Sequence, residues 1–212
     1  MRWLRRVAIV VLFRPLARVF TGADIVGRER LPLKGPAILV ANHASHVDTL
    51  LLLTIYPSKA LDRVRPAAAS DYFLKGALMS WFSRRILNIV PVARDRAATG
   101  EDILAPARAA LAAGDILLVF PEGTRGDGEA LARLKSGVAR LASAFPEAPV
   151  IPIWLQGAGR VLPKGAVVPV PMNCTVLVGE PIFWGGERAA FMDALRDALE
   201  ALHALAPPQR WA

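Results

Sequence analysis

Short apolar blocks punctuated by polar and Gly/Pro-rich stretches run along most of this chain. Residues 116–120 (ILLVF) form an unbroken apolar run, the pattern of a strand covered on both faces. Residues 37–40 and 150–155 read as further buried strands, and 23–26, 65–69, 89–92 and 174–178 as shorter ones. Helical patterns lie between them at 49–56, closed by Pro57, and at 71–86. Further helices are predicted at 99–113, ended by Gly114, at 135–144 and at 187–206. Alternating strands and helices predict an α/β fold, a single domain with a largely parallel mixed sheet flanked by helices. There is no repeat, low-complexity tract or long polar linker, so residues 23–212 are expected to form one domain.

Residues 1–22 differ in character. They carry Arg2, Arg5, Arg6, Arg14 and Arg18 and no acid before Asp24, interleaved with Trp3, Leu4, Val7, Val10, Val11, Leu12 and Phe20. A basic amphipathic helix of this make-up suits the headgroup boundary of a bilayer. Each Arg near an anionic surface adds on the order of 1 kcal/mol. The plainer alternative is an ordinary basic helix packed on the domain. The apolar stretch 7–13 stops at Arg14-Pro15, far short of the roughly 20 residues that span a bilayer, so an integral bundle is not expected. A cleaved signal peptide is not expected either, because no small-x-small cleavage site follows.

Composition narrows the partners. A hydrophobic fraction of 54% and a mean hydropathy of +0.37 are high for a freely soluble protein. The net charge of +8 admits nucleic acid or an anionic membrane. The clustering of Arg, Trp and aliphatic residues at the start favours the membrane, so no nucleic-acid partner is expected. With one cysteine, Cys174, no internal disulfide can form, which suits the reducing cytoplasmic face of a membrane. One Cys and three His leave too few ligands for structural zinc.

Two blocks carry chemistry. The first, Asn42-His43-Ala44-Ser45-His46-Val47-Asp48, directly follows a predicted strand, and strand ends are where ligand sites collect in open α/β sheets. His43 and Asp48 are spaced so that one turn brings carboxylate to imidazole. His43 would act as general base on a substrate hydroxyl, with Asp48 fixing its tautomer. The competing reading makes Asp48 a helix cap beside a solvated His43. A metal held by His43, His46 and Asp48 lacks further well-placed ligands, and His46 has no evident catalytic task. The second block, Phe120-Pro121-Glu122-Gly123-Thr124-Arg125-Gly126-Asp127-Gly128, follows another strand. Its glycines allow close backbone approach to a ligand, and Arg125 offers a fork matched to phosphate oxygens. A tight surface turn accounts for the glycines equally well.

Together the blocks NHASHVD and FPEGTR, about 80 residues apart, resemble the N-H-x₄-D and F-P-E-G-T-R blocks of the glycerolipid (lysophosphatidic acid) acyltransferase family. The segment from Asn88 to Arg94 and the segment VIPI at 150–153 resemble two smaller blocks of that family, in the same order. The resemblance covers roughly residues 23–185. It implies His43 as base and Asp48 as its orienting partner, with Arg94, Glu122, Gly123, Thr124 and Arg125 around the acceptor's phosphate. Glu122 is expected to order the loop rather than touch ligand, and Arg96 competes for the role of Arg94. Lys135 looks like the family's downstream lysine, adding charge near the phosphate, or is a plain solvated lysine. The chain departs from the family where Asn88 and Gly126 stand in place of the usual Gly and Ser.

The implied reaction moves a fatty acyl group from acyl-CoA or acyl carrier protein to a lysophospholipid, with lysophosphatidic acid the default acceptor; glycerol 3-phosphate, another lysophospholipid or a lyso-aminolipid would use much the same residues. It needs no cofactor and no metal. Tyr72, Phe73, Leu78, Met79, Trp81 and Phe82 could line a groove for fatty chains or be ordinary core. Two rival classes are a hydrolase using His43 and Asp48 to activate water, and a basic lipid- or nucleic-acid-binding module without catalysis.

Overall fold

The computed structural model describes residues 2–45, 47–69, 76–92, 102–123, 126, 130–163 and 168–208. Among the described residues seven strands make one sheet: β1 (Asp24–Val26), β2 (Ala37–Ala41), β3 (Val64–Ala69), β4 (Val90–Val92), β5 (Ile116–Val119), β6 (Val150–Gln156) and β7 (Thr175–Val178). Their order is β1-β7-β6-β2-β5-β3-β4. All pairs are parallel except β6 with β7. Central β2 has every position buried, because helices cover both faces of the sheet. Its side chains alternate: Ala37, Leu39 and Ala41 join one core cluster, Ile38 and Val40 the other.

The first cluster lies beneath the N-terminal helix and the helices Val47–Ile55 and Ala158–Val161, through residues such as Ile9, Leu51 and Ala158. The second lies beneath Ala105–Ala112, Gly137–Ala144 and Arg188–Leu205, through Ala107, Val138 and Leu195. Glu187 caps the last helix by accepting hydrogen bonds from the Ala189 and Ala190 N–H groups.

The N-terminal segment is helical from Arg2 to Thr21, with a π-helical stretch at Ala8–Phe13 between two α-helical ones, and it ends at left-handed Gly22. It packs on the domain through fully buried Ile9. Its arginines divide into two kinds, which the sequence pattern does not separate. Arg5, only 3% exposed, donates to the carbonyls of Ile86 (2.9 Å), Val64 (2.8 Å), Leu87 (3.3 Å) and Leu61. Leu61, Ile86 and Leu87 sit at helix ends, where carbonyls lose their intrahelical donors, and Val64 opens β3. Arg14 serves the end of the Val47–Ile55 helix in the same way, through the carbonyls of Thr54 and Tyr56, and Arg28 adds a bond to Ile55. Arg5 and Arg14 are therefore internal fasteners rather than headgroup contacts. Arg6 is half-exposed and pairs with Asp62.

Trp3 (68% exposed), Val7, Val11, Leu12 and Val19 point outward. Leu78 (80% exposed), Met79 and Trp81 extend this apolar surface from the Ala77–Phe82 helix, which meets the N-terminal helix where Phe82 packs edge-on against Phe13. Among the described residues no helix is long and apolar enough to cross a membrane.

Two predicted helices are shorter than the pattern indicates. The one expected at 99–113 begins at Ala105, because Pro106 belongs in a first turn and Asp102 closes the preceding turn by accepting from the Leu104 N–H. The one expected at 71–86 starts, among the described residues, at Ala77 and continues as a π-helix over Ser83–Leu87. Residues 71–75, with Tyr72 and Phe73, lie outside the described residues. Asn88 ends this helix at φ 59°, a left-handed position that Gly fills freely and Asn tolerates.

Candidate active site

β2 and β5 are parallel neighbours, so their C-terminal ends deliver the 42–48 and 120–126 blocks to the same edge of the sheet. The first residue beyond β2, Asn42, locks that edge. Its side-chain amide donates to the Leu155 carbonyl (3.0 Å), and its oxygen accepts from the Leu155 N–H (2.7 Å). The side chain thereby extends the β2–β6 ladder by one pair and fixes where the chain leaves the sheet.

His43 follows. Its Nδ1 lies 2.8 Å from Asp48 Oδ2. The same oxygen accepts the N–H groups of Ala44 (2.7 Å) and Ser45 (2.8 Å), so the turn is wound around the carboxylate. Asp48 is fully buried in the first turn of the Val47–Ile55 helix, where the helix dipole favours negative charge. Asp48 is therefore both the helix-start carboxylate of the competing reading and the partner of the imidazole. With Nδ1–H donated to Asp48, Nε2 is left as a proton acceptor. The imidazole is partly exposed and stacks on Phe120, with ring centroids 4.2 Å apart at 21°. Ser45 anchors the loop from below by donating to the Leu162 carbonyl at 3.0 Å.

Glu122 joins the two blocks. Only 6% exposed, it accepts the His43 N–H at 2.8 Å and the Ala132 N–H at 3.3 Å. The His43 carbonyl in turn accepts the Gly126 N–H at 2.8 Å. Burial raises the Glu122 carboxyl above its ordinary range, and the two N–H donors oppose that shift. Gly123 has φ 73°, and a Cβ there would overlap the Lys135 side chain, so Lys135 lies directly on the Glu122-Gly123 turn. The Lys135 N–H is fixed by the Pro121 carbonyl.

His43, Asp48, Glu122 and Gly123 are thus brought together. Thr124, Arg125, Arg94, Arg96 and His46 lie outside the described residues. The ring stack of Phe120 and the ladder lock of Asn42 were not assigned from the sequence. Both residues stood inside the two blocks, but neither a stacking ring nor a ladder-mimicking amide leaves a signal in spacing.

The Acyltransferase family model matches residues 23–156. The chain belongs to the Acyltransferase family. This Acyltransferase chain is 30% identical over 165 residues to the chloroplastic 1-acyl-sn-glycerol-3-phosphate acyltransferase LPAT1 of Arabidopsis thaliana, across 77% of this chain and 44% of that protein. It is 26% identical over 180 residues to the mouse (Mus musculus) 1-acyl-sn-glycerol-3-phosphate acyltransferase alpha, across 83% of this chain and 60% of that protein. The chain therefore spans about half the length of these curated relatives. Its fold is similar to the crystal structure of the 1-acyl-sn-glycerophosphate acyltransferase PlsC from Thermotoga maritima. The TM-score is 0.71 at 23% identity, covering 98% of this chain and 83% of that one.

Proposed function

We propose that this chain transfers a fatty acyl group from a thioester, acyl-CoA or acyl carrier protein, to the free hydroxyl of 1-acylglycerol 3-phosphate, giving phosphatidic acid. The observation that carries the reading is the His43–Asp48 pair at 2.8 Å, held at a strand end against the Glu122 loop. Among the described residues no nucleophilic side chain hydrogen-bonds to the His43 ring, which suits a reaction whose nucleophile is the substrate's own hydroxyl. The names of the relatives supply the acceptor.

Nε2 of His43 takes the hydroxyl proton as the oxygen attacks the thioester carbonyl. Asp48 holds Nδ1–H and stabilises the imidazolium. The tetrahedral intermediate collapses with loss of the thiolate, which recovers the proton from His43. No covalent enzyme intermediate forms, so initial-rate patterns are sequential rather than ping-pong. The acceptor's phosphate rests on Arg94, Thr124, Arg125 and the Gly123 backbone, with Glu122 ordering that loop. The reaction takes no cofactor or metal.

The chain works at the cytoplasmic face of a membrane, with Trp3, Val11, Leu78 and Trp81 entering the lipid and the exposed arginines meeting anionic headgroups. The test is release of free thiol from acyl-CoA or acyl carrier protein in the presence of 1-acylglycerol 3-phosphate. Acceptor-dependent release is expected, and release without any acceptor would turn the reading toward a hydrolase.

A further inference from the structure

The segment 130–136 has two sides. Ala132 faces the active site, its N–H bound to Glu122, and Glu122 in turn holds His43. The next residue, Arg133, opens onto a cavity of about 290 Å³ that it shares with Ser136, Arg188, Met192, Asp193 and Arg196. Two hydrogen bonds and one peptide unit thus separate this cavity from the catalytic histidine's backbone.

Its charge is one-sided. Three guanidinium groups face one carboxylate, Asp193. Arg196 is 3.5 Å from Glu200, while Arg133 and Arg188 have no ion-pair or hydrogen-bond partner among the described residues. Glu187 lies close to Arg188, but its carboxylate is committed to the Ala189 and Ala190 N–H groups. Like charges held this close repel, and an anion between them removes the penalty. Arginine forks match phosphate oxygens in particular.

The cavity also sits in a telling layer. Leu134 and Met192 belong to the core cluster beneath the Gly137–Ala144 and Arg188–Leu205 helices, on the far side of the sheet from the apolar N-terminal helix. When the apolar face rests on lipid, the arginine cavity faces water.

We propose that this cavity receives the phosphates of a coenzyme A thioester, so that the donor's nucleotide end docks from the aqueous side while its thioester reaches His43. The inference rests on the acyltransferase reading above and adds to it the donor and the place where it is held. A concave site of this size suits a small phosphate ester better than an acidic protein surface.

The experiment uses the full chain and adenosine 3′,5′-bisphosphate, the nucleotide fragment that has no thioester. Calorimetry should show binding that weakens about tenfold or more in Arg133→Ala/Arg188→Ala, from loss of charge-assisted hydrogen bonds. Arg140→Ala, which among the described residues disturbs a half-exposed pair with Asp102, should bind normally. In rate assays the double variant should raise KM for acyl-CoA about tenfold while leaving KM for lysophosphatidic acid and rates with acyl-pantetheine unchanged. Equal bisphosphate binding by wild type and double variant overturns the proposal, as does no binding at all. An equal defect with acyl-pantetheine, or a defect confined to acyl carrier protein as donor, also overturns it. Wild type that binds the bisphosphate through these arginines but transfers no acyl group would refute the reaction and leave the nucleotide site standing.

Discussion

Arg5→Met separates two roles that one arginine-rich helix offers. Methionine keeps the length and apolar stem but removes every donor to the carbonyls of Leu61, Val64, Ile86 and Leu87. Each buried carbonyl left without a donor costs about 1–3 kcal/mol, or about 8 kcal/mol for four at the middle of that range. Against this, burial pulls the Arg5 guanidinium down from 12.5 to about 10, and methionine does not carry that burial cost of about 3 kcal/mol. The difference, about 5 kcal/mol, falls further where water reaches a freed carbonyl, so a loss of about 3–5 kcal/mol is expected. Arg6→Ala opens a pair whose Asp62 side chain is only 9% exposed and should cost about 1–2 kcal/mol. Urea unfolding of the two variants beside wild type reads both numbers, from the midpoint shift at constant slope. An Arg5→Met midpoint no lower than that of Arg6→Ala would refute the fastener role and return Arg5 to the lipid surface.

Asp48→Asn keeps the shape of a side chain whose Oδ1 is buried with no hydrogen-bond partner among the described residues. It should lower kcat about 10²- to 10⁴-fold with little change in KM, and an unchanged kcat would remove Asp48 from the mechanism. For Glu122, burial lifts the folded carboxyl above its ordinary 4.5, so the folded chain keeps this proton where the unfolded chain releases it. Its contribution to stability is full below about 4.5 and fades as pH rises through the folded value. The stability of wild type relative to Glu122→Gln should therefore fall between pH 4 and pH 7, and a flat difference in urea unfolding would contradict the burial argument. Trp3→Glu and Trp81→Glu should each weaken binding to anionic vesicles about tenfold or more, while Leu205→Glu, at an exposed position ending the last helix across the sheet, should not. Equal losses in all three sedimentation assays would disconnect the apolar helices from the lipid.

Strands β2, β5 and β6 were legible because each is a short, mostly apolar run buried on both faces. The His43–Asp48 contact was legible because it is local, closed within one turn of chain. What spacing did not convey is longer in range. Glu122 reaches His43 across 79 positions, and Arg5 reaches Val64 across 59. Nothing in the first twenty residues distinguishes Arg5, whose neighbours in space are helix ends, from Arg6, which faces solvent. The helix start at Ala105 was readable in principle, since Pro106 marks a first turn.

The central claim is that His43 activates an acceptor hydroxyl for attack on a thioester. Thiol release from acyl-CoA or acyl carrier protein, with and without 1-acylglycerol 3-phosphate and in wild type beside His43→Ala, tests it most directly. The account predicts release that requires the acceptor and falls at least about 10²-fold in the variant, whose unfolding midpoint stays close to wild type. Acceptor-dependent release that persists in His43→Ala, or no release from either donor in wild type, would contradict it.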